Sequence, residues 1–567
     1  MIENLKRPVW AAIFLGLFAL AFIAVVGPSD FAWTHGFMIN GGGASAVGGH
    51  PLALGDHLQS TYYMWLWWHS MTTGSHLPWS DPYQFALTGH HVLAVAGWPL
   101  VLVFLPVMAI AGPIAAFNTV VIASFVATAI CMYLLARQLG FSRVASTVAS
   151  LAFAFAPFRL IQLGHFGTLV GFFPPLILYL ADKAIRGTEH NARWAWGCAV
   201  AFVSLVASGE LHLVLYVGPL FVTFVAVRAI GVPRERLRAL VPAGAALIVV
   251  SAVVLGAIYH FVLSPSSDAP NGVSVEFAQH YAPRIANFFH PTTGGEQYDY
   301  PGVVIVLLGA LAVISVFVQS TKRRLLIWAI CVVGVSYLVA LLPGWGPAFN
   351  LMRQLPMTGF IRVPGRILID AAVGLALLAG FGAQILERRW RGFVLLPLIG
   401  VLLIADVHLA SGGFKYTTAG SDVESALPVD APVMDLPPFQ PGHFGASRYM
   451  LDIVRHPADR ANGYDVLAPK EVWEAVAQEY DLTKLPVDVC RWKRLTTNMH
   501  FTYVAVHADL FGTFPYWPEA RPHLAPTAAA LNDALVHTPG FHQVSTIDDV
   551  TVFRVDPAAL RCSAARP

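Results

Sequence analysis

Long apolar runs alternate with short polar gaps along most of this chain. Runs of the length needed to cross a bilayer, roughly 20 residues, lie near 8–27, 113–136, 144–162, 168–182, 194–211, 213–230, 239–262, 302–319, 325–342, 366–386 and 393–411. Basic residues fill every second gap: Lys6/Arg7, Arg137/Arg143, Lys183/Arg186/Arg193, Arg228/Arg234/Arg236/Arg238, Lys322/Arg323/Arg324 and Arg388/Arg389/Arg391. The intervening gaps hold only Arg159, Arg284, Arg353, Arg362 and Arg366. Lys and Arg accumulate on the cytoplasmic side of membrane helices. The pattern therefore predicts a helix bundle of about eleven spans, with the N-terminus inside and the C-terminal segment outside. The first run follows Lys6 and Arg7 like a signal peptide. It lacks a convincing small-residue cleavage site, so it reads as an uncleaved first helix.

From Pro8 to Ala136 there is no Lys or Arg, and the only carboxylates are Asp30, Asp56 and Asp81. One further apolar stretch lies here, Val92 to Gly112, preceded by His90 and His91 and interrupted or followed by Pro99, Pro106 and Pro113. Counting it as a span would invert every later loop and move about fifteen basic residues outside. It is read as a juxtamembrane or re-entrant element, which makes 28–112 one large external loop. A loop of that length is functional or disordered, and this one is too apolar for disorder. Further external loops fall at 263–301 and 343–365.

After Ala410 the composition turns polar. Short β-like runs, Val433–Leu436, Tyr503–Val506 and Val550–Val555, alternate with helical stretches. Residues 412–567 are expected to form a compact α/β domain on the external face, and residues 1–411 the membrane domain. Only 12% of residues are charged against 56% hydrophobic, and mean hydropathy is +0.61. A soluble chain carries roughly a quarter charged residues, so this is an integral membrane protein. A net charge of +2 with no basic stripe excludes nucleic acid as a partner. Cys131, Cys198 and Cys331 lie in apolar runs and read as packing residues. Cys490 and Cys562 would be free to pair if the C-terminal part is extracytoplasmic, a pairing the sequence leaves open.

Gly55-Asp56 before the helical run 58–71 suits a helix cap. Its neighbours Gln59, Tyr62, Tyr63, Trp65 and Trp68 have the amphipathic aromatic spacing of a membrane interface, which favours a catalytic or substrate role for Asp56. His57, Gln59, Asp81 and His91 share that loop and are candidate substrate contacts, although Asp81 in Ser80-Asp81-Pro82 also suits a turn. Glu210, in Ser208-Gly209-Glu210-Leu211-His212, is an ionisable group at the end of a span. Such groups are costly at membrane depth and mark functional cavities. His165 lies in a short external turn beside Arg159. Glu296 and Tyr298 belong to the 263–301 loop. Arg362 and Arg366, four apart beside Pro364-Gly365, suit bidentate capture of a phosphate. No Walker motif, GxSxG elbow, HExxH or CxxCH occurs.

The order of these marks resembles bacterial polytopic glycosyltransferases of the GT-C type, particularly the branch that includes YfhO-like proteins. The resemblance runs from Gly55-Asp56 and Leu77-Pro78-Trp79-Ser80-Asp81-Pro82 through Phe155-Ala156-Pro157-Phe158-Arg159, Gly164-His165 and Ser208-Gly209-Glu210. It continues to Asn287-Phe288-Phe289-His290-Pro291, Glu296 and Arg362-Val363-Pro364-Gly365-Arg366. It implies sugar transfer from a polyprenyl-phosphate donor to a glycan, lipid or protein acceptor at the external face of the bacterial inner membrane. In that family a first-loop Asp commonly serves as base, and Asp56 matches it. Glu210, placed with Asp56 in the catalytic pair, His165 and Glu296 would meet sugar or acceptor hydroxyls. Many members show a two-acid first-loop motif, whereas here His57 follows Asp56, so a divalent metal is left open. The competing reading is a non-enzymatic lipid-carrier transporter or an envelope-glycan assembly protein.

Overall fold

The computed structural model describes Gly16, Ala19 and residues 33–40, 55–88, 92–93, 96–187, 191–263, 275–290, 300–315, 322–354, 361, 363–389, 392–411, 414–417, 427–428, 431–465, 468–511 and 527–562. Among these, six helices are long and apolar enough to cross a membrane: Val101–Gln138, Arg143–Ile161, Leu211–Ala229, Arg234–Phe261, Arg323–Gly344 and Pro364–Arg388. Other predicted spans appear as shorter helices, among them Phe173–Arg186, Asn191–Ala207 and Val303–Ser315. The run at 8–27 lies almost wholly outside the described residues.

Helix α1 (Gly55–Thr73) precedes the first of these spans, α2 (Val101–Gln138). The Val92–Gly112 stretch divides in two. Strand β3 (Val92–Leu93) pairs antiparallel with β2 (Ser80–Asp81), and residues 101–112 form the first arm of α2. At Gly112 the backbone leaves helical geometry, with φ 81° and ψ 178°. The cause is local: Pro113 has no N–H and its ring pushes the preceding residue out of the helical region. At 1.5 Å per residue the arm is about 18 Å long, too short to cross a core of about 30 Å alone.

Helix α3 (Arg143–Ala154) starts at Ser142, whose Oγ accepts from Ala145 N at 3.1 Å. Two one-turn helices follow, α4 (Pro157–Ile161) and α5 (Phe166–Leu169), then α6 (Phe173–Arg186), α7 (Asn191–Ala207) and α8 (Leu211–Ala229). Later come α9 (Val303–Ser315), α10 (Arg323–Leu341), α11 (Leu368–Arg389) and α12 (Gly392–Ser411). Helices α3 and α11 are the buried centre of the bundle. Between membrane helices lipid removes the hydrophobic driving force, and close backbone approach replaces it. Helix α11 supplies this with glycines. A Cβ on Gly382 would lie 2.0 Å from the Leu308 carbonyl oxygen of α9, one on Gly380 2.8 Å from that of Ala145 on α3, and one on Gly374 3.0 Å from that of Ala329 on α10.

The bundle has two chemically distinct ends. At one, Arg228 pairs with buried Asp182, to which Gln138 Nε2 also donates at 2.9 Å, and Lys322 Nζ donates to Gly140 O at 2.7 Å. Ser142 donates to Glu387 at the same end. The turns at the other end hold His165, Glu210 and Arg366.

The C-terminal region carries a four-stranded sheet of order β5-β6-β8-β7. Strand β5 (Val433–Leu436) is parallel to β6 (Tyr503–His507), while β7 (Phe541–Ile547) and β8 (Val550–Val555) form an antiparallel hairpin beside it. Trp492 sits edge-on to Phe541, ring centroids 4.8 Å apart, in its core. Cys490 and Cys562 form a disulfide with Cα atoms 4.9 Å apart. The region is not separate from the bundle. Strand β4 (Phe414–Thr417) pairs with β1 (Phe37–Asn40) of the first loop, and helix α13 (Ser447–Arg455) packs along α1 in one continuous core.

Candidate functional site

Asp56 lies in the first turn of α1, where the helix dipole favours a carboxylate. Its Oδ2 lies 2.8 Å from His165 Nδ1, and its Oδ1 accepts from the Tyr464 hydroxyl at 3.4 Å. A carboxylate can only accept, so Nδ1 is the protonated ring nitrogen in this contact. Both side chains keep a solvent-facing portion, 26% for Asp56 and 20% for His165.

His165 is presented by the turn between α4 and α5, and its carbonyl starts α5 by accepting from Thr168 N and Leu169 N. Two contacts hold that turn on α1, and an arginine supports it from below. Ser60 Oγ donates to Gly164 O at 2.9 Å, and the His57 ring packs flush on Gly164, where a Cβ would come within 2.3 Å of its Nδ1. Buried Arg159 lies beneath, donating to Ala154 O at 2.8 Å, Thr168 O at 3.0 Å and Ser124 Oγ at 3.4 Å.

Arg366 belongs to a short 3-10 turn, Pro364–Ile367, that leads into α11; its Nη2 lies 3.3 Å from His165 Nδ1. Glu210 occupies the tight turn between α7 and α8, with Gly209 at φ 81°. Its Oε2 faces Gly167, close enough that a Cβ there would approach to 3.1 Å. Burial pushes the Glu210 carboxyl above the usual range and nearby Asp56 adds to this, while Arg366, His165 and the Gly167 N–H pull the other way. A small cavity opens among these groups, lined by His165, Gly167, Glu210, His212, Tyr216 and Arg366.

Four candidates named from sequence, Asp56, His165, Glu210 and Arg366, thus come together. Gln59 sits beside them, donating to the Tyr63 hydroxyl at 3.2 Å and to Tyr464 O at 3.3 Å. In this geometry three others are scaffold. His57 and Arg159 shape the His165 turn. Asp81 is fully buried, accepting from the Tyr62 hydroxyl at 2.6 Å, Gln84 Nε2 at 2.5 Å and the backbone N–H groups of Tyr83 and Gln84. His91, Glu296, Tyr298 and Arg362 lie outside the described residues. Among the described residues no three His, Cys, Asp or Glu side chains come together as a metal-binding group. Sequence reasoning missed Tyr464 and Gln84, polar residues in unremarkable surroundings that only tertiary packing brings here.

No protein-family model matches this sequence, and no curated protein does. Among solved structures the chain is similar to ArnT from Cupriavidus metallidurans in the apo state, with TM-score 0.50 and 13% identity over 98% of this chain and 99% of that one. The same protein bound to undecaprenyl phosphate gives TM-score 0.50 and 13% identity over 99% and 100%. An oligosaccharyltransferase from Archaeoglobus fulgidus, tethered with an acceptor peptide, aligns at TM-score 0.47 and 11% identity over 97% of this chain and 74% of that one. The ArnT likeness is one of fold: this chain is a multi-pass membrane protein with a GT-C-like helix bundle and a C-terminal α/β region.

Proposed function

We propose that this chain is a membrane glycosyltransferase that moves a sugar from a polyprenyl-phosphate-linked donor to an envelope acceptor at the external face of the inner membrane. The observation that carries this reading is the contact of Asp56 with His165, which lines one cavity together with Glu210 and Arg366, so that four segments far apart in sequence meet at one end of the bundle. The ArnT structure with undecaprenyl phosphate adds that this fold accommodates a polyprenyl phosphate in at least one protein.

In this reading Arg366, with Arg362, holds the donor phosphate through charge-assisted hydrogen bonds. Asp56 accepts the proton of the acceptor hydroxyl. The acceptor oxygen then forms a bond to the anomeric carbon as the carbon–oxygen bond to phosphate breaks, and the electron pair leaves with the polyprenyl phosphate. Attack opposite the leaving group inverts the anomeric centre. One base suffices because the phosphate leaves without protonation, unlike the leaving group of a glycoside hydrolase, which needs a second carboxyl as acid. Glu210, Glu296 and Tyr298 are assigned to sugar or acceptor hydroxyls.

Asp56→Asn preserves shape and removes the base. Transfer from synthetic undecaprenyl-phosphate sugars should fall by roughly 10²-fold or more, while the protein still unfolds cooperatively in detergent. Full activity in a folded Asp56→Asn protein would exclude Asp56 as base. A transporter or assembly factor would instead show no transfer in the wild type and a cellular function that survives the substitution.

A further inference from the structure

Among the described residues, the C-terminal region reaches the site through a short segment, residues 460–465. Arg460 N donates to Tyr83 O at 2.9 Å, and Arg460 O accepts from Leu87 N at 3.4 Å. Gly463 lies against Gln84, where a Cβ would come within 2.5 Å of Oε1. Tyr464 N donates to that same Oε1 at 2.7 Å. Gln84 is itself fixed by buried Asp81, so the first external loop presents a rigid edge to this segment. The opposite side is equally anchored. Buried Arg460 donates from Nη1 to Asp435 Oδ1 at 2.8 Å, the His507 ring Nε2 lies 3.1 Å from the same oxygen, and Asn462 Nδ2 donates to Asp435 O at 3.0 Å. A buried ion pair of this kind is poor evidence of stability, but with one partner removed it is strongly destabilising, so it fixes geometry.

From this doubly anchored segment the Tyr464 side chain extends to Asp56. The carboxylate is then held from two directions: His165 Nδ1 on Oδ2 at 2.8 Å, from the membrane bundle, and the Tyr464 hydroxyl on Oδ1 at 3.4 Å, from the C-terminal region. The geometry points to Tyr464 as a positioning residue for Asp56, supplied by the C-terminal region, so that the base is competent only when that region is docked. This rests on the glycosyl-transfer reading above. One donor leaves a carboxylate free to swing about its Cβ–Cγ bond, whereas donors on both oxygens fix its plane. A donor to the ionised form also favours that form. Among the described residues, charged or titratable groups near Asp56 include His57, His165, Arg366 and Glu210, and Asp465 acts electrostatically on Tyr63.

The decisive variant is Tyr464→Phe in the full-length protein, assayed with synthetic undecaprenyl-phosphate sugars. Loss of one hydrogen bond to a charged group should lower kcat by about tenfold with KM little changed. The acid limb of the kcat–pH profile should move to higher pH, because Asp56 loses a donor that favours its ionised form. A merely structural role would not move that limb, so an unmoved limb with unchanged kcat overturns the assignment. Melting temperatures of Tyr464→Phe, Asp56→Asn and the double variant test the contact itself, and non-additive shifts are expected. Additive shifts overturn it too. A wild type that transfers from no donor sinks the glycosyl-transfer reading, and the thermal cycle then decides the Tyr464–Asp56 contact separately.

Discussion

At the scale of single residues, the site depends on an atom that is missing. Gly164 lets the His57 ring lie where a Cβ would be, and that contact aims His165 at Asp56. Gly164→Ala should cost about 1–3 kcal/mol of stability through overpacking and reduce activity further by tilting His165. Removing the clash in Gly164→Ala/His57→Ala should recover most of the melting temperature, which calorimetry in detergent can read. His443 gives a pH prediction. Its ring stacks on Phe439 at 4.7 Å, its Nδ1 accepts from Gly445 N at 3.1 Å, and burial pushes its pKa down to about 4. An unfolded His ionises near 6.5. Between about 6.5 and 4 the unfolded chain binds the extra proton, so the stabilisation is complete above that window and declines as pH falls through it. The melting temperature should therefore drop more from pH 7 to pH 5 in the wild type than in His443→Phe. Residue-scale legibility was uneven for a physical reason. Asp56, His165, Glu210 and Arg366 stand out as rare polar groups beside apolar runs, but so do Asp81 and Arg159. A sequence does not distinguish a charge facing a cavity from one whose hydrogen bonds are made to buried backbone and side-chain groups of the scaffold.

At the scale of elements, helix α11 is the most exacting. Gly382 sits against the Leu308 carbonyl, and no side chain fits without separating α9 from α11. Gly382→Val should destabilise the protein by more than about 2 kcal/mol, and the same change at Gly400 of α12, which faces nothing within 4 Å, should be nearly silent. Thermal unfolding in matched detergent compares the two; equal losses would show that α11 packing does not govern the bundle. Helices were the most legible feature, since runs of apolar residues are read directly from hydropathy. The strands at 433–436, 503–507 and 550–555 were legible as the short β-like runs Val433–Leu436, Tyr503–Val506 and Val550–Val555. Strand β7 was not: Phe541–Ile547 exposes most of its side chains at the sheet edge and lacks an apolar run. The β1–β4 ladder was invisible because nothing local in Phe37–Asn40 specifies a partner in Phe414–Thr417.

At the scale of the whole molecule, membrane bundle and C-terminal region share one core and meet at Asp56. The charge alternation along the chain anticipated that the site's turns lie at one end and the basic clusters at the other. The β1–β4 ladder has a consequence for biogenesis. Strand β1 emerges from the ribosome well before its partner β4, which lies beyond the last bundle helix. At roughly 5–20 residues per second, the interval is on the order of a minute or less. Throughout it β1 has a bare edge, and α1 lacks its α13 neighbour. The first loop must therefore wait, unclosed, until the final helix has inserted. A ribosome stalled before residue 414 should leave that loop open to external protease, and release of the full chain should close it.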